Sequence, residues 1–251
     1  MCLGSKGQKH MEIPTTTTQR WCLPLKPETH SKHGGSVKKW FSDLVSVKNP
    51  WEATSGCWRV LEGKCLCSGE HQNLQLCLSL PVMLILDLRL DESNGEAPIW
   101  DFPQKLFPLT SQAAQEHGLV YDLVGHGLFN PEAAHFMARY TKDKAIYTYD
   151  GMKHNGYSVQ DKGATLGTHL YGGDIKIPSG YRTHVVIYHL CGGPNAQMVF
   201  YHSQIATACQ LHSLTFSSAT LDYLPNITFT NQNFVWMKDE DRFWMQNPYS
   251  S

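Results

Sequence analysis

His135 and Asp150 are the residues of this 251-residue chain whose types and spacing bear most directly on chemistry. A carboxylate bonded to an imidazole fixes its tautomer and stabilises the imidazolium, so the ring can take a proton from a nucleophile and return it to a leaving amine. Such a pair is half of a catalytic triad. His135 lies in the run Ala134-His135-Phe136-Met137-Ala138-Arg139-Tyr140, and Asp150 closes the run Ala145-Ile146-Tyr147-Thr148-Tyr149-Asp150. Both runs are aromatic and apolar, and the intervening Thr141-Lys142-Asp143-Lys144 is polar, so a β-hairpin with a four-residue loop is expected. In that register Phe136 faces Tyr149, Ala138 faces Tyr147 and Tyr140 faces Ala145 on one side. On the other side His135 stands opposite Asp150, with Cβ atoms about 4.5–5.5 Å apart. The same residues also fit an ordinary, solvent-facing cross-strand pair with no chemistry attached.

Two further histidines lie close in sequence. His126, between Gly125 and Gly127, is expected at a strand edge, and His154, in Lys153-His154-Asn155-Gly156, in a turn; both read as surface polar residues. A nucleophile is harder to find. The eight cysteines are Cys2, Cys22, Cys57, Cys65, Cys67, Cys77, Cys191 and Cys209, and none opens a recognisable helical run. After Cys22, the prolines of Leu23-Pro24-Leu25-Lys26-Pro27 cannot propagate a helix.

The elements that must position the pair are mostly strands. From Pro81 onward short apolar runs alternate with turn signals at Asn94-Gly95, Asn130-Pro131, Asn155-Gly156, Gly172-Gly173 and Gly192-Gly193, a β-rich pattern with few helices. Residues 1–50 read as a poorly ordered or context-dependent segment, apart from a helix over Val37 to Val47 with Trp40, Phe41, Leu44 and Val45 on one face. Residues 51–205 read as the domain, with hairpins over 50–78, and residues 206–251 as an extension of unknown role. Its Phe234, Trp236, Phe243 and Trp244 suit either docking to another protein or packing at home. Asn226-Ile227-Thr228 fits a glycosylation acceptor, expected to stay unmodified without a secretion signal.

Composition narrows the class. With 41% hydrophobic and 17% charged residues the chain can bury a sizeable core, and a net charge of −1 steers it toward neither nucleic acid nor an anionic membrane. The most apolar run, Leu78 to Leu90, is broken by Pro81, Asp87 and Arg89 and is expected to be a buried strand. Cysteines without a regular framework fit a reducing, intracellular compartment, cytoplasmic or nuclear.

Five segments, in order, resemble the catalytic domain of the ubiquitin-specific proteases. Leu80 to Arg89 resembles the family's "LPxxLxLxLxR" strand, Phe102-Pro103 its Phe-Pro before a short strand, Tyr121 to Gly125 its "YxLxxV" strand, His135 to Asp150 its "GHYxAY…WYxFD" and Ala196 to Tyr201 its closing "AYxLFY" strand. The resemblance implies an α+β, papain-like fold, represented mainly by its β-rich palm and fingers. It implies hydrolysis of the (iso)peptide bond after the ubiquitin C-terminal Gly-Gly, with ubiquitin or a ubiquitinated protein as partner and no cofactor. His135 matches the general base and Asp150 its orienting acid.

The departures from the family pattern are specific. Ala134 stands where glycine is usual and Gly151 where a second aspartate is common. The "GLxNxGNTCxxN" box that carries the nucleophilic cysteine has no counterpart, so the resemblance implies either a fragment or a pseudo-enzyme, and no nucleophile is assigned. The family's finger zinc needs two Cys-x-x-Cys knuckles, and Cys57, Cys65, Cys67 and Cys77 offer only the poorer Cys65-x-Cys67, so no metal is expected. The competing reading is a catalytically inactive ubiquitin-binding or scaffolding module; against a papain-like peptidase unrelated to ubiquitin stand the flanking segments Leu80 to Arg89 and Ala196 to Tyr201.

Overall fold

The computed structural model describes residues 22–47, 77, 79–88 and 98–212, together with five two-residue strand segments at Cys2–Leu3, Lys9–His10, Val60–Leu61, Lys64–Cys65 and Glu70–His71. The expectations for Asn94-Gly95, for Asn226 to Thr228, for the 231–251 tail and for zinc at Cys57, Cys65 and Cys67 lie outside the described side chains.

A large sheet organises the protein, and the fold is mixed α and β. Its strands are β1 (Cys22–Leu25), β2 (Met83–Leu88), β3 (Lys105–Leu106), β4 (Tyr121–Asn130), β5 (His135–Lys142), β6 (Ala145–Tyr149), β7 (Val159–Gln160) and β8 (Arg182–Leu190). Their order is β7-β6-β5-β4-β8-β2-β1, with β3 also on β4. All neighbours are antiparallel except β1 and β2.

One face of the sheet is buried. Along β2 the odd positions Met83, Ile85 and Asp87 are half-buried while Leu84, Leu86 and Leu88 are fully enclosed, the period-two signature of an antiparallel sheet covered on one side. Leu123, Val186, Tyr188 and Leu190 extend that covered face, and α2 (Val37–Val45) packs on it through Val37, Trp40, Phe41 and Val45. These positions recur every three or four residues, so one stripe of the helix is apolar. Leu44, expected on that stripe, is 39% exposed and Val37 takes its place. Ser36 caps α2 by accepting the Lys39 amide, and the Phe41 ring meets Tyr121 edge-on at 5.5 Å.

The core thus draws on residues ahead of position 50. Cys22 to Leu25 form a strand, as two prolines demand, and the second of them, Pro27, opens the short helix α1 (Pro27–His33) at the position where a missing amide costs nothing. α3 (Gln112–Glu116) and α4 (Leu166–His169) are brief.

The segment expected as a closing strand, Ala196 to Tyr201, belongs instead to the helix α5 (Gly193–His212). Among its described side chains Ala196, Gln197, Phe200, Gln204, Ile205 and Ala208 are buried, at helical and not alternating spacing. The Gln197 side chain bonds both the amide and the carbonyl of Leu80, and Gln204 donates to the Val45 carbonyl at the end of α2. Gly192 lets α5 start here: at φ +87°, a Cβ would lie 2.3 Å from the His117 carbonyl oxygen. Among the described residues no helix is long and apolar enough to cross a membrane.

Candidate functional site

The ribbon β4-β5-β6 builds the site. Asn130 ends β4, and its side-chain oxygen accepts the amides of Glu132 and Ala133, closing the turn that returns the chain to His135. Ala134 completes this turn at φ +46°, a left-handed conformation in which a Cβ is strained. The glycine absent here is the residue that such a turn favours.

The next connection is tighter than expected. Asp143 and Lys144, at φ +50° and +64°, form a two-residue turn, and Lys142 pairs with Ala145. Both central residues are left-handed, as in a type I′ hairpin turn. The ladder therefore sets Ala138 opposite Tyr149, Arg139 opposite Thr148 and Tyr140 opposite Tyr147, a slip of two residues from the four-residue-loop register. Because side chains alternate with period two, a slip of two leaves every residue on its expected face. His135 and Asp150 are consequently diagonal instead of directly opposed, and their side chains still meet.

His135 Nε2 lies 2.8 Å from Asp150 Oδ1, with the two side chains 17% and 5% exposed. Asp150 sits just past β6, where its Oδ1 also accepts the Met152 amide at 3.0 Å, and Lys153 Nζ stands 3.3 Å from Oδ2 as an ion pair. Burial raises the carboxyl's pKa, but the Met152 amide, His135 and Lys153 together outweigh it and hold Asp150 below the usual carboxylate range. The carboxylate is thus ionised at neutral pH and accepts from Nε2–H, which leaves the lone pair on Nδ1. Tyr181 meets the imidazole edge-on at 6.3 Å.

Beside the pair opens a cleft of about 310 Å³, bounded by Met137, Arg139, Thr148, Lys153, Asp161 and Pro178. His154 reaches its rim from a turn, as expected, and is exposed. Arg139, which the sequence reading passed over, is 5% exposed. Counting by twos from His135 along β5 would have placed it on the same face.

His126 corrects an expectation. It lies in the middle of β4, paired on both sides, and is 2% exposed instead of standing at an edge. Its Nε2–H donates to the Leu170 carbonyl at 2.8 Å, and the Phe102 ring lies edge-on at 5.6 Å. Burial drives its pKa down to about 4, with the Arg139 charge in the same direction and the Leu170 bond opposing. His126 is a neutral core residue.

The cysteines whose side chains are described stand apart from His135. Cys191 follows β8 and is separated from the start of α5 by Gly192, so it does not itself open the helix. Its Sγ donates to Asp122 Oδ2 at 3.3 Å, and burial with that carboxylate pushes the thiol up to about 11. Asp122 lies eight residues along β4 from Asn130, about 26 Å at the rise of a strand. Cys77 is near Tyr121 at that same end and is pushed up to about 11 by burial. Cys22, on β1, is four strand spacings from β5, about 19 Å. Among the described residues there is no group of three or more potential metal ligands.

No family model matches the chain, and no curated protein matches it.

Proposed function

We propose that this chain carries the acid/base half of a deubiquitinase-type thiol hydrolase site, in a papain-like fold of the ubiquitin-specific protease kind, acting on the bond after the ubiquitin C-terminal Gly-Gly. The observation that carries this reading is the 2.8 Å contact between His135 Nε2 and Asp150 Oδ1. Its orientation suits the chemistry: Asp150 accepts the Nε2–H hydrogen bond, which leaves Nδ1 to remove a proton from an attacking thiol and give it to the departing lysine amine. Four of the five segments of the resemblance support it as well. Leu80 to Arg89 holds β2, Phe102-Pro103 precedes β3, Tyr121 to Gly125 opens β4, and His135 to Asp150 spans β5 and β6. The fifth, in α5, does not.

The nucleophile in this reading comes from outside the described residues or from a second polypeptide. A specific observation favours a second reading, a catalytically inactive ubiquitin-binding module: no described thiol stands beside His135, and Cys77 and Cys191 are held protonated. One experiment separates them. The purified chain is incubated with ubiquitin bearing a C-terminal electrophile, and adducts are mapped by mass spectrometry. A cysteine adduct lost in His135→Ala supports the hydrolase. Ubiquitin binding without adduct leaves the module, and neither binding nor adduct ends both.

A further inference from the structure

We propose that Arg139 and His126 are positioning residues for this site: two buried side chains, opposed on β5 and β4, that fix the 161–181 segment over the His135 end of the sheet by bonding its main-chain carbonyls. Their register makes them direct neighbours across the ladder. Arg139 Nη1 donates to the Lys176 carbonyl at 2.7 Å and reaches the His169 carbonyl at 3.5 Å. His126 Nε2–H donates to the Leu170 carbonyl at 2.8 Å. Three carbonyls within eight residues of one connection are therefore held by the face of the sheet that carries His135.

The segment has little structure of its own to do this work. Its described regular structure is the four-residue α4, a closure from the Lys176 amide to the Thr168 carbonyl at 2.8 Å, and one bridge in which the Gly172 amide donates to the Phe102 carbonyl at 2.8 Å and the Phe102 amide to the Gly172 carbonyl at 3.3 Å. A buried carbonyl without a partner is costly, and that of Leu170, fully buried, receives its partner from the sheet, as do the carbonyls of His169 and Lys176 through part-buried bonds. Filling space alone would not call for a cation, since an apolar side chain of similar volume avoids the cost of burying charge. What a guanidinium adds is a rigid, planar group whose Nη1 faces both the His169 and Lys176 carbonyls, where a lysine ammonium sits on a flexible stem and is more strongly hydrated.

The consequence falls on the site. Asp161 and Pro178 of this segment line the cleft, and the turn from Pro178 to the Tyr181 amide sets the Tyr181 ring against His135. The two pins thereby set the wall that faces the imidazole and its exposure. This inference rests on the reading of His135 as the working base only for its functional meaning.

Hydrogen–deuterium exchange and carbethoxylation of His135 by diethyl pyrocarbonate, both read peptide by peptide, test it without ubiquitin. In Arg139→Met the amides of 168–181 are expected to exchange at least tenfold faster while those of β2 and β8 keep their rates. His135 is then modified severalfold faster, and His117, exposed at the far end of the sheet, is modified at its original rate. Arg139→Lys falls between, and His126→Gln, which keeps a donor for Leu170, produces a smaller rise. Equal acceleration across the whole sheet, or unchanged exchange in 168–181 together with unchanged His135 reactivity, overturns the proposal. If Arg139→Met does not fold, Arg139→Lys decides alone, and wild-type exchange of 168–181 in that variant overturns it. Failure to bind or react with ubiquitin would strike the proposed function and leave these two readouts standing.

Discussion

The two ends of β4 place an aspartate beside a reactive group, with opposite results. At the Asn130 end Asp150 accepts from His135 and leaves the other ring nitrogen basic. At the Tyr121 end Asp122 accepts from the Cys191 thiol and, with burial, holds the thiol up at about 11. The difference lies in what each proton acceptor does to its neighbour. An imidazole has two nitrogens and can donate one N–H to the carboxylate while keeping a lone pair on the other, whereas a thiol has a single proton whose loss makes an anion, which the neighbouring carboxylate opposes. About 26 Å of strand separates the two ends, so the imidazole cannot rescue that thiol.

The largest expected effect breaks the first end. His135→Ala should lower the rate of labelling by the ubiquitin electrophile by about 10²–10⁴-fold, the usual range for loss of a general base. Asp150→Asn should lower it less, because the amide still holds the ring. An unchanged rate in both would leave the pair as structure.

Between the ends, His126 sets an acid-labile point. Its pKa is near 4 in the fold and about 6.5 when unfolded, so the unfolded chain binds the proton first as pH falls. The stability it contributes is complete above about pH 6.5 and is lost between there and pH 4, by about 3 kcal/mol. Chemical denaturation across that window should show a flatter profile in His126→Gln. Asp150 acts lower on the scale: its depressed carboxyl pKa contributes stability that is complete above the ordinary carboxylate range and is lost as pH falls through that range to the lower folded pKa.

At the second end, Asp122→Asn should bring the Cys191 thiol down from about 11, with burial still keeping it above an ordinary cysteine. The pH dependence of alkylation at Cys191, followed by mass spectrometry, measures this. An unmoved titration would show that burial alone silences the thiol. The smallest effect sharpens the turn beside His135. Ala134→Gly should raise stability by about 1 kcal/mol, the cost of a Cβ at φ +46°, read as a shift in the denaturation midpoint.

The meeting of His135 with Asp150 was legible in the sequence even though the loop length was misjudged. Asp143 and Lys144 lack the Asn-Gly signature of a two-residue turn, so a four-residue loop looked natural. The error of two residues preserved the faces, and long side chains bridged the diagonal. The strand at Met83 to Leu88 was legible for a similar reason, because its alternation is local. Ala196 to Tyr201 misled because a short apolar run fits strand or helix equally, and the partner that its Gln197 bonds, Leu80, is far away in sequence.

Chain order and side-chain periodicity alone therefore determined which strands exist along the ribbon and that an imidazole shares a face with a carboxylate, since both follow from neighbours within a hairpin. Tertiary structure decided what lies on either side of that ribbon. It enclosed His126 between two strands, turned Arg139 toward carbonyls thirty and more residues away, and set Cys191 beside Asp122 at the opposite end. Burial and pairing over such separations depend on which surfaces stack, and no local pattern encodes that.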